Sequence, residues 1–125
     1  MKHILLIEDD TSISMLYQKK LELSGYRVSA AHNGLDAVHI LKEDKQMPDA
    51  ILLDLMMPVM DGEEFLRKFR KSIDTQDTPV IVLTNVSRDE APKTLWHYGI
   101  SGYFVKANHT PTELIAIIEK IMSES

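Results

Sequence analysis

The sequence contains no cysteine. Disulfides and thiolate metal sites are therefore excluded. It has no apolar run approaching the roughly 20 residues that cross a bilayer. After one lysine, only Ile4-Leu5-Leu6-Ile7 precede Glu8, too short for the apolar core of a secretory leader. The expected location is the cytoplasm, with no membrane contact. Positive charge is in deficit: 14 Lys and Arg stand against 19 Asp and Glu, for a net charge of -5. That argues against direct nucleic-acid binding, but not against an anionic ligand carried with a metal. Repeats, low-complexity tracts and linkers are also missing. The five histidines show no pair at metal-ligand spacing and read as solvated.

Hydrophobic residues make up 44% of the 125, enough for a core. The expectation is one domain over 1–125 with no output domain. Its organising stretch is Ala50 to Gly62, Ala-Ile-Leu-Leu-Asp-Leu-Met-Met-Pro-Val-Met-Asp-Gly. A short apolar run bounded by turn formers reads as a strand buried on both faces. Asp54 stands where it emerges, and a buried aspartate is costly unless its charge is compensated.

Strand and helix alternate five times. Predicted strands are His3 to Ile7, Arg27 to Ala31 near an edge, Ala50 to Leu55, Val80 to Thr84 and Gly102 to Val105. Ile13, Leu16, Tyr17 and Leu21 mark a first helix, capped by Asp10 or Thr11 and stopped at Gly25. Asn33-Gly34 reads as a turn before a second helix with Ala37, Val38 and Leu41. Phe65, Leu66 and Phe69 mark a third. Ser87-Arg88-Asp89-Glu90 resembles a capping box, yet Pro92 would break the following turn. The fourth helix is expected from Asp89 or Glu90 to Tyr98. Thr110-Pro111-Thr112-Glu113 opens a fifth, with a core face of Leu114, Ile117, Ile118 and Ile121. Trp96, Ile115 and Met122 then look like a partner surface. Alternation implies right-handed crossovers and a parallel sheet, with five strands in the flavodoxin-like order 2-1-3-4-5.

Ligands bind at the carboxyl ends of such strands. Those ends carry Glu8-Asp9-Asp10, Asp54, Thr84 and Lys106. Carboxylates on neighbouring strands repel unless a cation sits between them. A hard divalent ion such as Mg²⁺ fits oxygen ligands. Metal, lysine and hydroxyl around one aspartate make a phosphoryl site, and an aspartate can itself attack phosphorus.

These residues, with Met57-Pro58, Met60-Asp61-Gly62, Val82-Leu83-Thr84 and Gly102-Tyr103-Phe104-Val105-Lys106, resemble the receiver domain of two-component response regulators. The resemblance covers the whole chain and is closest to stand-alone, chemotaxis-regulator-like receivers. It implies that Asp54 accepts a phosphoryl group from a phosphohistidine on a histidine kinase or histidine phosphotransfer protein. It implies that Glu8, Asp9, Asp54 and the Met56 backbone carbonyl serve Mg²⁺ (or Mn²⁺). Thr84 and Lys106 would bind the phosphoryl group. Thr84 and Tyr103 would be the switch pair, Tyr103 turning inward on phosphorylation. The face of the fourth helix, fifth strand and fifth helix would meet a downstream protein. The chain would act as a signalling phosphoacceptor rather than an enzyme, as a monomer or a phosphorylation-dependent homodimer.

Two positions depart from the family pattern. Ala107 replaces the usual proline after the lysine, and a non-proline there predicts a trans Lys106–Ala107 bond. Asn85 replaces a small residue. Other classes stay open. A degenerate receiver acting as a binding module is one, set against the complete acidic set. A haloacid-dehalogenase-like phosphatase needs two aspartates spaced by two after the first strand, where Glu8 and Asp10 stand. A flavodoxin needs a glycine- and hydroxyl-rich phosphate loop where the acidic cluster lies.

Overall fold

Continuous apolar strands need cover on both faces, and helices supply it. The computed structural model describes residues 2–44 and 46–124. Its strands are β1 (His3–Ile7), β2 (Arg27–Ala31), β3 (Ala50–Leu53), β4 (Val80–Thr84) and β5 (Gly102–Val105). They alternate with α1 (Thr11–Leu23), α2 (Gly34–Glu43), α3 (Gly62–Phe69), α4 (Thr94–Tyr98) and α5 (Pro111–Ser123). Every strand pair is parallel, and the order is β2-β1-β3-β4-β5, as the alternation predicts.

Side chains alternate across the sheet. Leu5, Ile7, Ile51, Leu53, Val80 and Val82 pack with Ala37 of α2, Phe65, Leu66 and Phe69 of α3, and Leu95 of α4. Ile4, Leu6, Leu52, Ile81 and Leu83 pack with Tyr17 and Leu21 of α1 and with α5. Each fully buried Leu or Ile contributes about 1.5–3 kcal/mol, so the two layers hold the strand ends in place.

Register assembles those ends. Ile7 lies beside Leu53 and Leu53 beside Val82, while Thr84 lies beside Val105. The residues that follow, Glu8, Asp54 and Lys106, therefore leave one edge of the sheet together.

Several local readings are corrected. α4 begins only at Thr94, after a 3-10 turn at Arg88–Glu90. The Ser87 side chain makes no cap bond. Ala91, just before Pro92, is extended at φ -72°, ψ 146°, the conformation a following proline enforces. Asn33-Gly34 is a helix start rather than a free turn: Asn33 caps α2, accepting from the Asp36 amide at 2.8 Å. In α1, Leu16 is exposed and Ser14 buried. In α5 the buried stripe is Leu114, Ile115, Ile118 and Met122. Ile115 and Met122 are thus core, and only Trp96 of the supposed surface trio remains exposed, at 39%.

His3 is also buried, not solvated. Its Nε2 lies 2.7 Å from the Ser29 hydroxyl, and its Nδ1 is 3.8 Å from the Asp44 carboxylate. Burial, reinforced by the Arg27 charge, lowers its pKa against the opposing pull of Asp44 and Asp49.

Candidate functional site

Asp54 follows β3 and is 6% exposed. Its amide donates to the Ile7 carbonyl at 3.1 Å. Its Oδ1 accepts from the Met56 amide at 3.3 Å, and its Oδ2 lies 3.3 Å from the Lys106 ammonium. Glu8 follows β1 and is buried. Its Oε2 accepts from the Asp10 amide at 3.1 Å, and its Oε1 is closely paired with Lys106. Carboxylate oxygens of Glu8, Asp9 and Asp54 all lie within 4.8 Å of one another. A cluster of hard anionic donors that tight suits a divalent cation taking oxygen ligands.

The electrostatics agree. Burial pushes the Glu8 carboxyl up to about 7, and the Asp54 charge adds to that rise. Lys106 and the Asp10 amide oppose it. For Lys106, burial alone would lower the pKa. The hydrogen bond to Glu8 and the charges of Asp54 and Glu8 outweigh burial and raise it, so Lys106 stays cationic. One ammonium among three carboxylates leaves an excess of negative charge, which a cation would neutralise.

A cavity of about 470 Å³ opens over this cluster, bounded by Glu8, Asp9, Asp54, Met56, Asn85, Val86 and Lys106 among others. Thr84 is not part of its wall. It is wholly buried, its Oγ1 accepting from the Val86 amide at 3.4 Å. Asp10 caps α1 by accepting from the Ile13 amide at 3.0 Å. It serves the helix start, where the phosphatase alternative wanted a second catalytic carboxylate. No described peptide bond is cis, so Lys106–Ala107 is trans as expected.

Tyr103 is buried. Its hydroxyl donates to the Val86 carbonyl at 2.7 Å, and its ring stacks on Trp96 at 5.5 Å. The Arg88 guanidinium covers the Trp96 ring at 5.4 Å. The Val86 carbonyl and the Trp96 ring thus join the Tyr103 side chain to the segment leading into α4. The Val86 carbonyl was invisible to residue patterns, because it acts through backbone.

The loop after Asp54 is strained. Val59 has φ 69° and is 74% exposed. A β-branched residue is an outlier in the left-handed region, where L-residues lose roughly 1–2 kcal/mol. Val59→Asn, which tolerates that region and gives up no buried contact, is expected to stabilise the protein by about 1 kcal/mol. The urea midpoint checks this; an unchanged or lower midpoint counts against strain at Val59.

Known proteins carry the same plan. A family model described as the response regulator receiver domain matches residues 4–119. Response regulator MprA of Mycobacterium ulcerans is 40% identical over 81 residues, 65% of this chain and 33% of that protein. The chain therefore spans about a third of the length of such curated relatives. Chemotaxis response regulator CheY4 of Vibrio cholerae superposes with a TM-score of 0.86 at 28% identity, covering 97% of this chain and 98% of that one. Response regulator TrrA of Thermotoga maritima, solved in complex with Mg²⁺-BeF, gives 0.81 at 29% identity, covering 97% and 99%. With the family match running from β1 into α5 and the acidic cluster and Lys106 at its strand ends, the chain belongs to the response regulator receiver domain family.

Proposed function

We propose that Asp54 is the phosphoacceptor of a two-component or phosphorelay pathway. The observation that carries this reading is the convergence of Glu8, Asp9 and Asp54 within 4.8 Å, with Lys106 on Asp54. An Asp54 oxygen would attack phosphorus as the nitrogen–phosphorus bond of a partner's phosphohistidine breaks. Glu8, Asp9, Asp54 and the Met56 carbonyl would hold Mg²⁺ (or Mn²⁺), which supplies positive charge to the transferring oxygens. Lys106 adds a second cation, already seated on Asp54. The Thr84 hydroxyl would turn from the Val86 amide toward the phosphoryl group. Val86 is also held by Tyr103, so that turn would reach the segment leading to α4. α4 has five residues and no side-chain cap, as expected of an element that moves at low cost. The face of α4, β5 and α5 would then meet a downstream protein. The reading places the protein in the cytoplasm, as a signalling phosphoacceptor rather than a turnover enzyme. Its partner is a histidine kinase or phosphotransfer protein.

The test is intact mass after incubation with acetyl phosphate and Mg²⁺. One phosphoryl mass is expected in the parent, and none in chelator or in Asp54→Asn. Phosphate retained by Asp54→Asn, or gained equally in chelator, would sink the reading.

The phosphoryl group is expected to be long-lived. Hydrolysis needs a water opposite the Asp54 oxygen on phosphorus. Met56, Asn85 and Val86 border that space. A thioether is a weak acceptor and valine has no polar side-chain atom; Asn85 alone could hold a water, while crowding its approach. Met56→Asn and Val86→Gln should each speed decay after donor removal, by about ten-fold for roughly 1.4 kcal/mol of water positioning. If neither decays faster than the parent, these positions do not limit hydrolysis.

A further inference from the structure

Met56 is the most exposed large apolar side chain bordering the site. It is 68% exposed, against 65% for Met15 and 44% for Met47 elsewhere on the surface. It borders two cavities at once. One is the cavity over Asp54; the other, about 460 Å³, is bounded by Asp9, Leu55, Met56, Met57, Pro58 and Asp61. Its own amide is bonded to Asp54 Oδ1. The backbone therefore fixes the origin of the side chain two residues from the proposed phosphoacceptor, while the side chain as a whole stays largely exposed. Burial would have protected this thioether; the fold leaves it open to solvent-borne oxidants.

We propose that Met56 is an oxidation site through which hydroperoxides shorten the life of the Asp54 phosphoryl group. The inference rests on the phosphoacceptor reading above. A sulfur lone pair attacks one peroxide oxygen. The oxygen–oxygen bond breaks, a sulfur–oxygen bond forms, and the second oxygen leaves as water or, from an organic peroxide, as an alcohol. Sulfur is oxidised by two electrons and the peroxide reduced by two. Oxidation converts a weak acceptor into a polar one, and methionine sulfoxide reductases reverse it. The new sulfoxide oxygen can accept a hydrogen bond from a water in the cavity over Asp54. That water attacks phosphorus, the Asp54 oxygen–phosphorus bond breaks, a water proton passes to solvent, and inorganic phosphate leaves. The thioether accepts only weakly, so the two oxidation states of one side chain give two signal lifetimes.

The experiment uses the full chain. The protein is treated with hydrogen peroxide, freed of it, charged with acetyl phosphate and Mg²⁺, and followed by intact mass as the phosphoryl group decays. Peptide mass locates the added oxygens. Decay of the oxidised parent is expected about five-fold faster than that of the untreated protein, the effect of one net hydrogen bond on a rate. Methionine sulfoxide reductases should restore the slow decay. The Met15→Leu/Met47→Leu double variant should keep the peroxide effect. Met56→Leu should lose it, each variant being compared with its own untreated sample. Met56→Gln should decay faster than the parent without peroxide, since its amide oxygen is a permanent acceptor. Unchanged or slower decay of protein shown to carry the Met56 sulfoxide overturns the inference, as does equal acceleration in Met56→Leu. If the untreated protein never gains a phosphoryl mass, the phosphoacceptor reading itself has failed, and this inference with it.

Discussion

Gly62→Ala is expected to destabilise the protein by about 3 kcal/mol and to lower its melting temperature by roughly 10 °C. Gly62 opens α3, and its amide donates to the Leu55 carbonyl at 3.2 Å. A Cβ at this position would fall on the Asp54 carbonyl oxygen and lie 2.9 Å from the Leu55 Cα. Both neighbours are backbone, so no rotamer change relieves the clash. Either α3 withdraws, with Phe65, Leu66 and Phe69 leaving the core, or the Asp54 peptide moves. The sign of the result is diagnostic. Helix propensity alone favours alanine over glycine by about 1 kcal/mol, so a close approach must outweigh that preference for stability to fall. A second readout follows Asp54. A displacement of about 1 Å in a reacting group can cost on the order of 100-fold in rate, so phosphorylation by acetyl phosphate should slow by more than the loss of folded protein explains. A variant at least as stable as the parent, with an unchanged rate, would show that α3 does not press on the strand that carries Asp54.

The same geometry shows why this site was legible in sequence. Glu8, Asp54 and Lys106 were found because each ends an apolar run, and parallel register carries such ends to one edge. Chain reversal at Pro58 and Gly62 marked that edge. What stayed hidden depended on choices the pattern leaves degenerate. α5 has apolar residues at 114 to 118, 121 and 122, a band wide enough for two rotations of the helix. Packing on Leu52 and Leu83 selects the one that buries Ile115 and Met122. α4 was misplaced because a cap-like Ser87 to Glu90 competes with Pro92, and the proline prevails by excluding a helical Ala91. His3 read as solvated because histidine usually is, whereas the first residue of an interior strand has little access to water. Tyr103 is buried through the Val86 carbonyl and the Trp96 ring, neither of which spacing reveals.

In chelator, the stability of the protein should fall as pH rises from about 4.5 to 7, relative to Glu8→Gln. Burial raises the Glu8 carboxyl from its ordinary value of 4.5 to about 7 in the folded chain. Between those values the folded state holds a proton that the unfolded state has released. Stability therefore declines with pH across that window and is flat, from this group, above it. The total is on the order of 3 kcal/mol. His3 contributes with the opposite sign. Its folded pKa is lowered by burial, so the stability it brings is present above its unfolded value near 6.5 and is lost as pH falls. Both wild type and Glu8→Gln carry His3, and the difference between their urea unfolding curves at several pH values cancels it. Lys106 does not intervene, because its raised pKa places its titration far above the window. Saturating Mg²⁺ should flatten the slope, since a metal ligand must be deprotonated, and Glu8 then holds no proton in either the folded or the unfolded state across the window. It should also stabilise wild type by about 2.7 kcal/mol at 100 times its dissociation constant, and Glu8→Gln by less. If wild type instead becomes more stable relative to Glu8→Gln as pH rises from 5 to 7 in chelator, then Lys106, not burial, governs Glu8.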